Sequence, residues 1–131
     1  MPSIDTLYRL WQLIGVSLLI ALIWVSLTPS PPDAASPLSW DKANHLIGYG
    51  LLTGWLGQLS LRSRYRWQLA LALLLLGGGL ELLQGVGGLR QPEWGDLLAN
   101  SLGILLAWWL LQRTPLGHTL IWLQQQLRRR R

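Results

Sequence analysis

The chain has 131 residues, of which 50% are hydrophobic and only 13% are charged, and its mean hydropathy is positive. That balance argues against a soluble globular domain. The formal net charge is +5, but the basic residues stand in short patches beside apolar runs, which argues against a nucleic-acid-binding surface. No cysteine is present, so a disulfide framework and thiolate chemistry are excluded. Composition therefore indicates a membrane protein.

Four apolar runs have about the length that a helix needs to cross the hydrocarbon core of a membrane, roughly 15 to 20 residues each. The runs are Leu13–Leu27, Asn44–Leu61, Trp67–Val86 and Trp94–Leu111. A cleaved signal peptide is the alternative for the first run, but no convincing cleavage site follows it. The sequence predicts an all-α membrane protein, with residues 1–131 forming one domain of four transmembrane helices.

The basic residues predict the orientation of these helices. Nine of the eleven fall before the first run, between the second and third, or after the fourth: Arg9, Arg62, Arg64, Arg66, Arg113 and Arg128–Arg131. Only Lys42 and Arg90 lie in the other connections. Because cytoplasmic loops carry the excess of lysine and arginine, both termini are predicted to be cytoplasmic.

Residues 114–131 form a basic, amphipathic tail. Its leucines recur at helical spacing: Leu116, Leu120, Leu123 and Leu127. This spacing favours a short helix in the membrane interface, with the terminal arginines near anionic headgroups. A frayed basic tail without fixed structure is the alternative.

Polar side chains in three of the predicted helices fall at one depth. His45 is one turn into the second helix, Glu81 lies shortly before the end of the third, and Asn100 follows the start of the fourth. At 1.5 Å per residue, all three lie roughly 6 to 9 Å from the outer end. Facing lipid, ionised groups at this depth would cost several kcal/mol each. We therefore predict that these side chains turn inward and meet.

The polar residues of each helix also share one face, because they are three or four positions apart. Asp41, His45 and Tyr49 step by four; Glu81 and Gln84 step by three; Asp96 and Asn100 step by four. With Lys42, Arg90 and Gly103, these positions make a pattern of Asp-Lys-x-x-His-x-x-x-Tyr, then Glu-x-x-Gln, Arg and Asp-x-x-x-Asn-x-x-Gly. In this pattern, between about residues 41 and 103, the chain resembles the VanZ-like family of small membrane proteins.

The resemblance implies a protein of the bacterial cell envelope, resident in the inner (plasma) membrane. Some members of the family are linked to reduced sensitivity to the glycopeptide teicoplanin. The implied partners are membrane lipids and a lipid-linked envelope intermediate or a lipoglycopeptide, with no nucleic acid. The resemblance supplies no agreed biochemical activity, so whether the protein is an enzyme stays open.

The residues themselves allow a binding site for a polar headgroup. Lys42 and Arg90 are suited to an anionic group, Arg as a fork and Lys as a point charge. His45 and Glu81 are the natural acid–base pair if a proton is transferred. The predicted ligand-binding residues are Asp41, Lys42, Tyr49, Gln84, Arg90, Asp96 and Asn100.

Three other hypotheses apply to the same residues. A non-catalytic scaffold or interaction module would use the polar residues only to fix helix packing. A metal site at His45, Glu81 and Asp96 has a weak signal in the sequence, since a single histidine is more often hydrogen-bonded than metallated, and no metal or other cofactor is predicted. Ion conduction ranks last because the inner halves of the helices are nearly bare of polar residues.

Overall fold

A computed structural model gives the structure of residues 3–29, 40–89 and 91–130, with only the backbone described at positions 40 and 41. Throughout these ranges the regular structure is helical. The α-helices are α1 (Ile4–Leu27), α2 (Trp40–Leu56), α3 (Ser63–Val86), α4 (Trp94–Arg113) and α5 (Thr119–Arg129), with 3₁₀ turns at Gly57–Leu59 and Pro115–His118.

Three of these helices, α1, α3 and α4, are long and apolar enough to cross a membrane. Their outward side chains are largely apolar; Trp24, Leu75 and Trp94, for example, are 76%, 69% and 86% exposed. The buried polar and charged side chains are Ser26, Thr53, Arg66, Glu81, Gln84, Asp96 and Asn100. Large apolar surfaces of this extent are unusual on soluble monomers. The arrangement is that of a membrane protein.

Helices α2 and α4 make the closest contact in the bundle, and glycine permits it. A Cβ atom on Gly103 would overlap the Leu46 carbonyl oxygen, and one on Gly50 would lie 3.4 Å from the Gly103 carbonyl oxygen. Gly54, by contrast, has no neighbour within 4 Å of a Cβ position. Of the Gly50-x-x-x-Gly54 spacing in α2, only Gly50 therefore mediates this contact.

Several helix boundaries differ from the predicted runs, and the two largest differences are at the start of α1 and the end of α2. Helix α1 begins at Ile4, nine residues before the first apolar run, and Ser3 caps it by accepting a hydrogen bond from the Thr6 amide at 3.0 Å. Helix α2 ends at Leu56 rather than Leu61. There the Tyr65 hydroxyl of α3 donates to the Leu56 carbonyl oxygen at 3.1 Å. That bond satisfies a carbonyl that has no partner within α2.

A glycine cap ends α3 and turns the chain toward α4. Gly88 has a φ of +62°, the left-handed conformation that glycine adopts without steric cost. The Leu89 amide donates to the Gln84 carbonyl at 3.1 Å, and the Gly88 amide donates to the Gly85 carbonyl at 3.3 Å. These are the two bonds of a Schellman motif. The tight turn brings Glu81, in the last turns of α3, beside the first turns of α4.

At the opposite end of the bundle, Arg66 joins α3 to α4 and to the turns that follow α2 and α4. Its guanidinium donates to carbonyl oxygens of Gly57 at 3.0 Å, Ser60 at 3.1 Å, Leu111 at 2.6 Å and Gly117 at 2.7 Å. All three nitrogens donate, and the side chain is only 3% exposed. We call this arrangement the Arg66 centre. It holds carbonyl groups near the ends of two helices, where the helix dipole favours a cation.

The basic tail is helical where the structure describes it. The Pro115–His118 turn leads into α5, and Leu120 of α5 is 1% exposed. Leu116 stays 58% exposed and lies in the 3₁₀ turn. The leucine spacing thus predicted a helix here, but the leucines do not form one buried face. Position 131 lies outside the described residues.

Candidate functional site

Side chains from α2, α3 and α4 meet at the end of the bundle where α3 turns into α4. His45 Nδ1 donates to Asn100 Oδ1 at 2.9 Å, and His45 Nε2 lies 3.9 Å from Asp96 Oδ2. Ligand atoms of His45, Glu81 and Asp96 all lie within 4.8 Å of one another. The predicted convergence of the three helices is confirmed. We call His45, Glu81, Asp96 and Asn100 the polar cluster.

The close contact of α2 with α4 sets the shortest distance in the cluster. Asn100 and Gly103 are three positions apart and share a face of α4. Gly103 lets α4 approach the α2 backbone at Leu46, which is the residue after His45. A side chain at position 103 would separate the helices, and the hydrogen bond between His45 and Asn100 would lengthen. Gly103 is therefore a positioning residue for the cluster.

Tyr49 and Gly77 lie directly below the cluster. Tyr49 is 1% exposed, one turn along α2 from His45. A Cβ on Gly77 would lie 3.2 Å from Asn100 Nδ2 and 3.3 Å from the Tyr49 hydroxyl oxygen. The phenol and the amide thus both rest on the bare backbone of α3. Tyr49 lies where the sequence placed it, beside the cluster.

Gln84 points away from the shared centre, toward α1. Its Nε2 donates a short hydrogen bond to the Ser26 carbonyl oxygen. Sequence reasoning grouped Gln84 with Glu81 because both lie on one face of α3, and it gave α1 no part in the site. The structure gives α1 a part, since Gln84 fastens the end of α1 beside the cluster.

Of the predicted charged residues Asp41, Lys42 and Arg90, the structure describes only the side chain of Lys42. Lys42 lies at the rim, where its Nζ forms an ion pair with Glu93 Oε2 at 2.8 Å. The Asp41 side chain and the whole of Arg90 lie outside the described residues. The sequence did not predict the pairing of Lys42 with Glu93, because 51 residues separate them.

Some of the bonding capacity near the cluster is unused. Glu81 Oε2 and Gln84 Oε1 are buried, and neither accepts a hydrogen bond. Both atoms are acceptors, and a buried acceptor without a partner is destabilising. A group that brings hydrogen-bond donors, or a cation, would remove that cost.

A cavity of about 560 Å³ lies between α1 and α2 and reaches the cluster. Leu22, Val25 and Ser26 of α1 line one wall, and His45 and Tyr49 contribute to the other. Its volume is within the usual range for small-molecule sites, roughly 300 to 1,000 Å³. His45 therefore belongs both to the polar cluster and to the wall of a mostly apolar cavity. No signal in the sequence indicated that α1 encloses such a space.

Comparison of the chain with family models, curated proteins and solved structures finds no match.

The chemistry open to the cluster follows from its donors and acceptors. Because an amide oxygen only accepts, the bond to Asn100 places a proton on His45 Nδ1, and His45 Nε2 faces Asp96. The ligand atoms of His45 and Glu81 lie within 4.8 Å, a separation that one bridging water can span for proton transfer. The arrangement can bind donor-rich groups, transfer a proton or hold a cation.

Proposed function

We propose that the protein binds an amphipathic ligand of the bacterial cell envelope, with the apolar part in the α1–α2 cavity and the polar headgroup at the polar cluster. The observation that carries this proposal is the double position of His45, in the cluster and in the cavity wall. Lipid-linked envelope intermediates and lipoglycopeptides join the two required parts in one molecule.

The buried acceptors without partners indicate which chemical groups the headgroup should carry. Glu81 Oε2 and Gln84 Oε1 require donors, such as sugar hydroxyls, amides or an ammonium group. Lys42 is already paired with Glu93 at the rim, so it offers less to an anionic ligand than the sequence implied. A headgroup rich in donors fits the described atoms better than a bare phosphate does.

The resemblance to the VanZ-like family supports the same class of ligand. The motif positions His45, Glu81, Asp96 and Asn100 are the ones that make up the polar cluster, and Gly103 is the motif glycine at the α2–α4 contact. We therefore propose membership of that family and a role in the response to glycopeptides such as teicoplanin. His45 and Glu81 are the proposed acid–base pair if the ligand is modified as well as bound.

We further propose that α2 is a fourth span, that both termini are cytoplasmic and that the cluster lies in the outer leaflet of the plasma membrane. Helix α2 has 17 residues, about 25 Å in length, and the Gly57–Leu59 turn extends it. That is close to the roughly 30 Å of a hydrocarbon core. The excess of basic residues at the Arg66 end supports the orientation, with α5 in the cytoplasmic interface.

Single-cysteine labelling tests this topology cleanly, because the chain has no native cysteine. Cysteines at Ser36 and Gln91 are expected to react with a membrane-impermeant maleimide added from outside. Cysteines at Ser63 and Gln125 are expected to react only after the membrane is permeabilised. Labelling of Ser63 from outside would reverse the orientation and move the cluster to the cytoplasmic leaflet.

Binding in lipid nanodiscs tests the ligand. We expect teicoplanin to bind and a glycopeptide with the same core but without the acyl chain to bind at least tenfold more weakly. Gly48→Leu projects a side chain from the cavity wall, where a Cβ already lies 3.5 Å from Leu22 Cδ1, and is expected to block binding. Gly79→Leu is the matched control, since a Cβ at Gly79 has no neighbour within 4 Å. Equal binding by both variants would contradict the cavity as the ligand's site.

The scaffold hypothesis has one observation in its favour. The bond between His45 and Asn100 joins α2 to α4, as a purely structural contact would. The same bond does not explain the unused acceptor on Glu81 or the cavity beside His45. Normal teicoplanin binding by Glu81→Gln and Gly48→Leu would leave the scaffold role as the better account.

A further inference from the structure

We infer that His45, Glu81 and Asp96 bind a divalent transition-metal ion, with Zn²⁺ best matched to the donor set. One imidazole nitrogen and two carboxylate oxygens are a mixed set, and imidazole favours Zn²⁺ over Mg²⁺ and Ca²⁺. Metal binding itself does not depend on the ligand proposed above. Only the use of the metal to hold a headgroup rests on that proposed function.

The distances among the three side chains permit coordination after small rotations. Their ligand atoms all lie within 4.8 Å of one another, and His45 Nε2 is 3.9 Å from Asp96 Oδ2. In a tetrahedral zinc site with bonds of about 2.1 Å, neighbouring donor atoms are about 3.4 Å apart. Rotations about the side-chain torsions of the three ligands can shorten the distances between their donor atoms to this value. Each ligand comes from a different helix of one packed bundle.

Asn100 orients the histidine as a ligand. A metal-binding histidine usually donates its second ring N–H to a carboxylate or carbonyl oxygen, which fixes the tautomer and the ring plane. His45 Nδ1 donates to Asn100 Oδ1 at 2.9 Å, so it is Nε2 that faces Asp96, at 3.9 Å from its Oδ2. A histidine that served only to join α2 and α4 would not need this second nitrogen to face a carboxylate.

An independent observation comes from Glu81. Its side chain is 7% exposed, and its Oε2 atom is buried and accepts no hydrogen bond. A carboxylate of Glu81 and one of Asp96 repel each other at this distance if both are ionised. A divalent cation would supply the partner that this buried Glu81 oxygen lacks. A proton shared by the two carboxyl groups is the competing account, and it predicts no metal binding.

Three protein ligands leave one position of a tetrahedral site for an exchangeable group. The cavity between α1 and α2 reaches His45, so a ligand in the cavity would lie next to one of the three metal ligands. A bound divalent cation would also neutralise the charge of the two carboxylates, and the cluster would become able to hold an oxygen of a headgroup. This is the step that the proposed function does not contain.

The test uses the full chain, purified without a polyhistidine tag, in nanodiscs of neutral lipid. Zn²⁺ binding is measured by equilibrium dialysis, and Co²⁺ serves as the spectroscopic probe of coordination number. We expect one saturable site and the visible absorption of four- or five-coordinate Co²⁺. Absence of a saturable site in the folded wild-type protein overturns the inference and leaves the shared proton. That result would not bear on teicoplanin binding, which is measured separately.

The variants locate the metal. Glu81→Gln and Asp96→Asn are expected to weaken Zn²⁺ binding by at least a hundredfold, and Asn100→Ala by about 10- to 100-fold through loss of the histidine's orientation. His118→Gln is the matched control, because His118 is an exposed histidine in the turn before α5. Retained affinity in Glu81→Gln, or lost affinity in His118→Gln, overturns the assignment to this cluster.

A ligand exchange guards against variants that only disturb folding. Glu81→His replaces one carboxylate by an imidazole and should retain a single Zn²⁺ site with a shifted Co²⁺ spectrum. If Glu81 has only a structural role, the Co²⁺ spectrum of Glu81→His should equal that of the wild type. If Glu81→His abolishes binding while the helical content and monodispersity equal those of the wild type, Glu81 is not a ligand.

Discussion

The polar cluster and the Arg66 centre lie at opposite ends of the same bundle, and both bury charge among apolar helices. At the Arg66 centre every nitrogen of the guanidinium donates to a backbone carbonyl. At the polar cluster Glu81 Oε2 is buried without a hydrogen-bond partner. A completed set of bonds is what a structural centre needs, because polar burial without bonds is costly. An incomplete set, beside a cavity, is what a binding site needs.

Substitution at the Arg66 centre should therefore cause the largest loss in the free energy of unfolding. We expect Arg66→Gln to lower the free energy of unfolding by about 3 kcal/mol or more, since hydrogen bonds from charged groups contribute about 1.5 to 3 kcal/mol each. Thermal unfolding in nanodiscs, followed by circular dichroism, measures the change. Arg64→Gln, at an exposed position in the same turn, is the control and should change stability by less than about 0.5 kcal/mol. Equal effects of the two variants would remove the contrast between the centres.

The next effect in size concerns the backbone surface on which the cluster rests. Gly77→Ala pushes on Asn100 Nδ2 and the Tyr49 hydroxyl, at 3.2 and 3.3 Å from the new Cβ. Gly79→Ala, two residues away, meets nothing within 4 Å and gains helix propensity of up to roughly 1 kcal/mol. We expect Gly77→Ala to be less stable than Gly79→Ala by about 1 to 3 kcal/mol, the usual cost of overpacking. Equal melting temperatures would show that the amide and phenol move without cost.

These contrasts show which features a sequence can reveal. Hydropathy and helical spacing were enough to place His45, Glu81 and Asn100 on inward faces at a common depth, because both properties are local. Nothing local separates Arg66 from Arg64, since the two are alike in type and differ only in the direction that the helix gives them. Arg66 was counted merely as one of the charges that set orientation, and the structure buries it.

The sequence did not predict the contribution of α1 to the site, for a related reason. Periodicity says which face of a helix is polar, but it does not say which neighbour that face meets. Gln84 meets the Ser26 carbonyl, a backbone group that has no signature in the sequence. The cavity beside His45 arises from the same neighbour, so its existence depended on packing between helices that are distant along the chain.

Substitution of Glu81 separates function from stability most directly. Glu81→Gln keeps the shape of the side chain and removes its charge and titratable proton. We expect a change of less than about 1 kcal/mol in unfolding free energy, because polar contacts between membrane helices average only about 0.6 kcal/mol. Under the proposed function, teicoplanin binding is expected to fall by roughly 10- to 100-fold, the equivalent of one hydrogen bond to a charged group.

The packing control for that experiment is chosen by exposure. Leu82 is 69% exposed, whereas Leu80 on the other side of Glu81 is 5% exposed and supports the core. Leu82→Ala should therefore leave both stability and binding unchanged. If Glu81→Gln lowers stability by several kcal/mol instead, the cluster resembles the Arg66 centre and its role is structural.

The smallest effect is expected at the rim, where Lys42 and Glu93 form a half-exposed ion pair at 2.8 Å. Such pairs contribute about 0.2 to 1 kcal/mol, and salt screens them. Lys42→Gln should therefore lower stability by a similarly small amount. Ligand binding distinguishes two roles for the lysine. If Lys42 only pairs with Glu93, both substitutions leave teicoplanin binding unchanged. If Lys42 also holds an anionic group, Lys42→Gln weakens binding, while Glu93→Gln, which releases the ammonium group, strengthens it.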